Sequence, residues 1–316
     1  MSAHTVDLTT ASLREATLDV LWRQWRAIGG AAAGAPATTQ VDPEVLCVTS
    51  LVLEQREPRL WTAMTDWLRL GAALVSVQRL KNLAVQLPAG RKLLERLAAV
   101  VVPEANGARF KTLLARSGKA RAQRGGRVRS APPKQRSAGP ALQAPAALLL
   151  RLRAAFGVGV KADLLAFLLG QRIRASVATT AAALAYSIPT AFRALQDLRE
   201  AGFVRCTDQP SGAEYWVDVQ PWYSVLGGQK AVAYWGFWRE ILVYVTAVLA
   251  WEVETERRSV SEYALGTSLR ELAQRYEPDL VRAGLVEPGL ALPQSAALGD
   301  WREFHRHLAE RLRSQV

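Results

Sequence analysis

The sequence predicts a mainly α-helical protein with one small β-hairpin, flanked by helical regions on both sides. Three observations lead to this fold class. Apolar residues recur at helical spacing through most of the chain, and one short stretch changes to alternation around turn residues. Half of the 316 residues are apolar, which is enough to build extensive cores. A chain of this length typically folds as about two domains.

Residues 1–116 predict an N-terminal domain made of short helices. Thr10 is the predicted cap of the first helix. Asp42 followed by Pro43 is the arrangement that begins a second helix, because proline tolerates the first turn. The inward face of a third helix combines Leu60, Met64, Trp67 and Leu68.

A later helix of this domain is predicted to begin at Ser76. Its helical spacing places Leu80 and Leu83 inside. The same spacing places the cationic side chains of Arg79 and Lys81 outside, where solvent accommodates their charge.

Positive charge is concentrated in one block, residues 105–162. Thirteen of the 40 Lys and Arg residues lie in this block, which has no Asp or Glu. The rest of the chain holds 27 Lys and Arg residues and 28 Asp and Glu residues, so its charges nearly balance. Within it, residues 117–145 are rich in Gly, Pro, Ser and Arg without apolar periodicity, which predicts a flexible basic linker. Such a block is typical of nucleic-acid contact, and a solubilising tether is the alternative. The arm residues predicted to contact DNA are Arg121, Arg124, Arg127 and Arg129.

The stretch SVATTAAALAYSIPTAFRALQDLREAGFVRC predicts two helices joined by a tight turn. Ser176 caps the first helix, and the turn falls at Ala185 to Ser187. Ser187 caps the second helix, Pro189 lies in its first turn, and Gly202 ends it. The inward stripe of the second helix is Ala191, Leu195 and Leu198.

Three polar side chains lie along the outer surface of that second helix. A helix that reads the major groove needs short or polar residues near its amino terminus. Thr190 and Arg193 meet this requirement, and Arg193 is suited to a bidentate contact with guanine. Gln196 is the third candidate for contact with a base.

A β-hairpin is predicted directly after this helix, because the apolar period changes to alternation. Asp208, Pro210, Ser211 and Gly212 form its turn. The predicted DNA contacts on this hairpin are Arg205, Gln209 and Ser211.

The segments SIPTAFRALQDLREAGFV and RCTDQPSGAEYWVD, in this order, resemble the winged helix-turn-helix of bacterial MarR-type regulators. The resemblance covers about residues 148–222 and suggests a domain at 146–226. It implies sequence-specific binding of double-stranded DNA, usually as a dimer, with the wing touching the backbone or the minor groove. Winged helices also serve as protein-protein modules, so a protein partner stays open.

Residues 227–316 predict a C-terminal helical domain for dimerisation or ligand sensing. Its apolar run at 231–251 is interrupted by Arg239 and Glu240, which leaves it too short to span a bilayer and predicts a buried helix instead. The aromatic residues at 215–238 suit a domain interface, and base stacking or a ligand pocket is the alternative.

The chain carries no recognisable catalytic or cofactor motif. It has no phosphate-binding loop, dinucleotide fingerprint or nucleophile elbow, so we expect neither an enzyme nor a cofactor. The three histidines, at positions 4, 305 and 307, do not form a metal-site pattern. Cys47 and Cys206 are isolated, and the amino terminus lacks a signal-peptide pattern, which together favour a cytoplasmic, nucleoid-associated protein.

These features predict a dimeric DNA-binding transcriptional regulator, most simply a repressor. The alternative is a non-catalytic nucleic-acid-binding adaptor or an antitoxin-like subunit of a bacterial defence complex. A regulator discriminates between sequences at fixed salt, whereas an adaptor binds with steep salt dependence and no sequence preference.

Overall fold

The computed structural model describes residues 3–85, 87, 90–104, 106–114, 139–207, 212–255, 261–286 and 292–316. The described chain is mainly helical with one small antiparallel sheet, which confirms the predicted class at that level. The helices are α1 (Ala3–Ala27), α2 (Pro43–Leu53), α3 (Arg59–Gly71), α4 (Val77–Ala84), α5 (Gly90–Val101), α6 (Leu148–Phe156), α7 (Val160–Gln171), α8 (Val177–Ala183), α9 (Ile188–Glu200), α10 (Val219–Leu226), α11 (Trp238–Thr255), α12 (Glu262–Arg282) and α13 (Leu298–Ser314). Short 3-10 helices cover Ala72–Leu74, Ala108–Leu113, Pro145–Ala147 and Gln229–Ala231.

Local capping chemistry sets several helix starts. The Asp42 carboxylate accepts hydrogen bonds from the Glu44 and Val45 amides, and Ser76 accepts one from the Arg79 amide, so both predicted caps are confirmed. The predicted cap at Thr10 is wrong, because α1 begins at Ala3. The Thr10 hydroxyl instead donates to the buried Glu252 carboxylate at 3.0 Å.

The predicted hairpin is present as part of a three-stranded sheet. Its strands β2 (Arg205–Thr207) and β3 (Glu214–Trp216) pair with Cys206 opposite Tyr215. A third strand, β1 (Ala175–Ser176), pairs with the other edge of β3, giving the order β1-β3-β2. The sequence does not reveal β1, because two residues carry no strand periodicity.

A first hydrophobic core joins both ends of the chain. Helices α1–α5 and α11–α13, here called the helical body, contribute side chains to it together. Its largest fully buried side chains include Trp25, Trp67, Trp238 and Trp301. The division into domains at 1–116, 117–145, 146–226 and 227–316 stays a prediction, but packing unites the first and last of these regions.

A second core lies between residues 148 and 235, here called the sheet unit. Helices α6–α10 and the sheet surround it, with Leu195 and Leu198 of α9 packed against α7 and with Tyr215 of β3 fully buried. Ala191 is also buried, so the predicted inward stripe of α9 is confirmed.

The helix predicted from residue 231 begins later, at Trp238. A 3-10 turn at Gln229–Ala231 and the non-helical residues up to Phe237 precede it. Trp238 donates its indole N–H to the Gln40 carbonyl at 3.0 Å, which anchors the start of α11 on the segment before α2. None of the described helices is long and apolar enough to cross a membrane.

Candidate nucleic-acid interface

The amino terminus of α9 is built as the sequence predicts. The Ser187 hydroxyl accepts a hydrogen bond from the Thr190 amide at 3.4 Å, and Pro189 occupies the first turn. The Thr190 and Ser187 hydroxyl oxygens lie 2.8 Å apart. Thr190 thus contacts the capping serine through both its amide and its hydroxyl. Its side chain is half-buried, at the exposed end of the helix.

Arg193 lies on the outer face of α9. Its side chain is exposed, and its Nε donates only to the Pro189 carbonyl of the same helix, at 3.3 Å. Among the described residues no carboxylate pairs with it. The guanidinium is consequently accessible to an external acceptor.

Gln196 differs from Arg193, because other side chains of the sheet unit engage its amide. Gln196 Nε2 donates to the Tyr215 hydroxyl of β3 at 3.0 Å, and its Oε1 accepts from Arg199 Nη1 at 3.4 Å. The side chain is half-buried. It ties α9 to the sheet, and it can reach a base only by giving up these bonds.

Two exposed apolar side chains on the same helix as Arg193 were missed by the sequence analysis. Ile188 is 56% exposed and Phe192 is 45% exposed, one turn apart on α9. Sequence reasoning assigns apolar residues to a core by default. Helical spacing does not mark Ile188 as exposed, because it lies three positions before Ala191 and continues the inward stripe at 191, 195 and 198.

The predicted wing and arm are described only in part. Arg205 begins β2 and is exposed. Gln209 and Ser211, together with the arm residues Arg121, Arg124, Arg127 and Arg129, lie outside the described residues.

Two further arginines of the sheet unit, Arg172 and Arg174, lie over aromatic rings. The Arg174 guanidinium lies 4.6 Å from the centre of the Trp216 ring, and that of Arg172 lies 4.3 Å from the Tyr234 ring. Arg174 immediately precedes β1 and is exposed. It therefore adds positive charge to the same unit that carries Arg193 and Arg205.

A buried ion-pair network joins the sheet unit to the helical body. Arg79 of α4 is fully buried, so the prediction that it faces solvent is wrong. It forms a salt bridge with Asp42, and its Nη1 lies 2.5 Å from a Glu44 oxygen. Two carboxylates at the start of α2 thus draw this side chain inward, a pairing that helical spacing does not reveal. Lys81, the other predicted outer cation, is half-buried.

The second arginine of the network, Arg153 of α6, bridges the two units. Its Nε lies 2.7 Å from Asp163 of α7, and its Nη1 lies 2.6 Å from Glu44 of α2. All three side chains are fully buried. The buried ion-pair network therefore consists of Asp42, Glu44, Arg79, Arg153 and Asp163.

Two residues of this network, together with Asn82 of α4, hold the turn between α8 and α9. Arg79 Nε donates to the Leu184 carbonyl at 2.8 Å, and Asn82 Nδ2 donates to the Ala185 carbonyl at 2.7 Å. The Tyr186 hydroxyl donates to Asp163 at 2.8 Å. Ala185 adopts a left-handed conformation with φ 55°, which costs energy for a residue with a side chain. These bonds tie the turn before α9 to α4 of the helical body and to α7.

Opposing effects set the charges in the network. Burial raises the pKa of Asp163, but Arg153 and Arg79 outweigh it and hold the pKa below its ordinary value. Burial dominates at Glu44 and raises its pKa despite the same two arginines. The Asp163 carboxylate is thus the more firmly ionised of the two.

Comparison with known proteins finds no matching family model, no matching curated protein and no matching solved structure. In the part of the chain that the structure describes, no group of three or more His, Cys, Asp or Glu side chains is placed to hold a metal ion. His305 is buried, with one ring nitrogen 2.8 Å from the Tyr244 hydroxyl and the other 2.9 Å from the Thr9 carbonyl.

Proposed function

We propose that this protein is a sequence-specific regulator that binds double-stranded DNA as a homodimer and represses transcription in the bacterial cytoplasm, at the nucleoid. In this proposal α8 and α9 form the helix-turn-helix, and β2 with β3 forms the wing. The observation that carries it is the placement of Arg193 on the outer face of α9, exposed and without a carboxylate partner among the described residues.

The order of elements supports the proposal. Helix α7, strand β1, helices α8 and α9, and the hairpin β2-β3 follow one another within one small core. In a winged helix this order leaves the second helix of the pair on the surface, where it enters the major groove. The buried ion-pair network supports it too, because a fixed turn before α9 lowers the entropy lost on binding.

Two apolar side chains of α9 suggest which base accompanies the guanine proposed for Arg193. Phe192 directly precedes Arg193 and Ile188 lies one turn before Phe192, and both are apolar and exposed. Apolar side chains in the major groove contact the thymine methyl group, and arginine contacts guanine. The proposed half-site therefore combines a guanine with adjacent thymine.

The basic arm at residues 117–136 supplies a separate contribution. Its sequence holds seven Lys or Arg residues and no acid. Cations of this kind neutralise phosphates and release counterions, which increases affinity and salt dependence without reading sequence.

A second candidate function is a nucleic-acid-binding adaptor or antitoxin-like subunit that docks a protein partner through α9. The exposed Ile188 and Phe192 favour it, because apolar side chains on a helix surface also suit a protein interface. In this case the basic arm holds nucleic acid without sequence preference.

Genome-wide mapping of bound DNA, followed by competition between the mapped site and a scrambled duplex at fixed salt, separates the two candidates. A regulator gives a sharp palindromic site near its own promoter and prefers it about a thousandfold or more. An adaptor gives broad occupancy and equal affinity for both duplexes, and that result would refute the proposed regulator.

A further inference from the structure

An exposed aromatic cluster lies at the carboxyl end of α9. Phe156 at the end of α6, Phe203 after α9 and Trp222 of α10 meet with ring centres 6.0 to 6.2 Å apart. Phe156 is 50% exposed and Phe203 is 42% exposed. Solvent thus reaches large aromatic surfaces at this end of α9.

Further apolar surface surrounds these rings. Val225, on the same helix as Trp222, is 73% exposed, and Pro221 beside it is exposed as well. A cavity of about 310 Å³ lies among these side chains, open to the surface. Contiguous exposed apolar surface with a concave centre is typical of a protein interface. Phe156, Phe203, Pro221, Trp222 and Val225 are called the aromatic patch below.

The rim of the aromatic patch carries one charge of each sign. Arg205 and Asp218 both line the cavity and both are exposed. Within the described chain neither forms an ion pair, and the Asp218 carboxylate accepts only the Gln220 amide at 3.2 Å. A partner of uniform charge would meet one of them unfavourably. A second copy of the chain, turned by a two-fold axis, opposes each Arg205 to an Asp218 and satisfies both.

The position of the patch suits a dimer that binds DNA. Arg193 and Ile188 belong to the first half of α9, whereas Phe203 follows its last turn. A helix of 13 residues is about 20 Å long, so the two ends are well separated. A copy bound at the patch leaves the first turn of each α9 accessible.

We propose that the aromatic patch is the interface of a homodimer in which Arg205 of each copy pairs with Asp218 of the other. This inference rests on the homodimer of the proposed function and names its surface. It assigns Arg205 to that surface in place of the DNA contact predicted for it from the sequence. The aromatic patch consists of five side chains, whereas a standard interface takes about 20 to 30 residues a side. The dimer is therefore concentration-dependent in solution, and adjacent half-sites on DNA stabilise it.

Sedimentation velocity of the full chain without DNA, from about 1 to about 100 µM, tests the interface. We expect a monomer-dimer equilibrium for the unmodified protein. Val225→Glu and Arg205→Glu each raise the dimer Kd about tenfold or more, because they place like charges or buried charge at the two-fold axis. Val281→Glu on α12, where Val281 is 53% exposed, is the matched control and leaves the Kd unchanged.

Charge reversal makes the test specific. The double variant Arg205→Glu with Asp218→Arg restores the opposition of charges, so its dimer Kd returns toward that of the unmodified protein. Circular dichroism checks that α10 survives the loss of its Asp218 cap, and Val225→Glu remains decisive if it does not. The inference is overturned by an unmodified protein that stays monomeric, by equal effects of Val225→Glu and Val281→Glu, or by a folded double variant no closer to the unmodified protein than Arg205→Glu.

Failure of the interface is distinguishable from failure of the proposed regulator. If Val225→Glu leaves the dimer Kd unchanged, the aromatic patch is not the interface, but sequence-specific DNA binding is unaffected by that result. A patch-dependent dimer that binds DNA without sequence preference refutes the regulator and leaves the interface.

Discussion

Arg79 and Arg193 both lie near the start of a helix capped by serine, but Arg79 is buried and Arg193 is exposed. Arg79 follows the Ser76 cap, is fully buried, and binds two carboxylates and the Leu184 carbonyl. Arg193 follows the Ser187 cap, is exposed, and bonds only to its own helix. A buried guanidinium with several acceptors holds two units together. An exposed one without a carboxylate partner is available to a ligand.

The largest effect is expected from removing an arginine of the buried ion-pair network. Arg153→Ala removes the closest cation of the buried Asp163 and leaves Arg79 as the remaining arginine beside Glu44 and Asp163. We expect the free energy of unfolding to fall by about 3–5 kcal/mol, measured by urea denaturation. Arg151→Ala is the control on the same helix. It loses one bond to the Leu226 carbonyl, worth about 1 kcal/mol. Equal losses for the two variants would contradict the role of the network.

A buried carboxylate without such a partner should behave differently from those in the network. Burial raises the pKa of Glu240 to about 7, and its nearest cation, Arg239 Nη1, is 3.6 Å away. Its folded pKa exceeds the ordinary 4.5, so its contribution to stability is lost as pH rises from 4.5 through 7. Relative to the unmodified protein, Glu240→Gln should gain about 3 kcal/mol across this window in denaturation series at stepped pH.

His305 has the opposite dependence and must be included in that measurement. Burial lowers its pKa to about 4, so its contribution is lost as pH falls from 6.5 through 4. The two effects partly cancel in the unmodified protein. Glu240→Gln removes the Glu240 contribution, so its stability should rise with pH relative to that of the unmodified protein. Glu303→Gln, at an exposed site on α13, should run parallel to the unmodified protein. A parallel profile for Glu240→Gln as well would show that Glu240 does not titrate abnormally.

A smaller effect is expected at the edge of the network. Tyr186→Phe removes the hydroxyl that donates to Asp163 and should cost about 2 kcal/mol of unfolding free energy. Tyr234→Phe is the matched control, since that hydroxyl is exposed and only accepts a bond from Arg172 at 3.1 Å. Its cost should stay below about 0.5 kcal/mol. Thermal melting of both variants measures the two costs. A larger loss for Tyr186→Phe than for Tyr234→Phe would show that the bond to the buried Asp163 stabilises the turn before α9.

The smallest effect on stability is expected at Arg193. Because its side chain is exposed and bonds only within α9, Arg193→Ala should change the free energy of unfolding by about 0.5 kcal/mol or less. Urea denaturation beside Arg153→Ala measures the contrast. A loss of several kcal/mol at Arg193 would mean that this arginine is structural and that the comparison with Arg79 fails.

The parts of the fold that follow from local chemistry are predictable from the sequence. Asp42, Ser76 and Ser187 act through residues two or three positions along, and Gly202 takes the left-handed conformation expected at a helix end, with φ 77°. Arg79 is not predictable in this way. Its acceptors at 42, 44 and 184 are distant in sequence, and helical spacing alone assigns a cation to the surface.

In the candidate site, too, some features follow from the local sequence and others depend on tertiary packing. The exposure of Arg193 follows from the period of α9. The bond from Gln196 to Tyr215 depends on how the sheet packs on α9, and no local pattern contains it. The exposure of Ile188 and Phe192 runs against the expectation that apolar residues are buried, so only the assembled structure reveals it.

The central claim is that α9 reads DNA through Arg193 while the basic arm adds affinity without sequence preference. The direct measurement is the ratio of affinities for the mapped site and a scrambled duplex, taken over a series of salt concentrations. It compares the unmodified protein, Arg193→Ala, a deletion of residues 117–136, and Arg302→Ala as an exposed control on α13.

We predict that Arg193→Ala lowers the ratio about tenfold or more and changes the salt slope by about one or less, because a bidentate base contact is lost. The deletion should flatten the salt slope and preserve the ratio. Arg302→Ala should alter neither quantity. The account is contradicted if Arg193→Ala retains the full ratio while the deletion abolishes it.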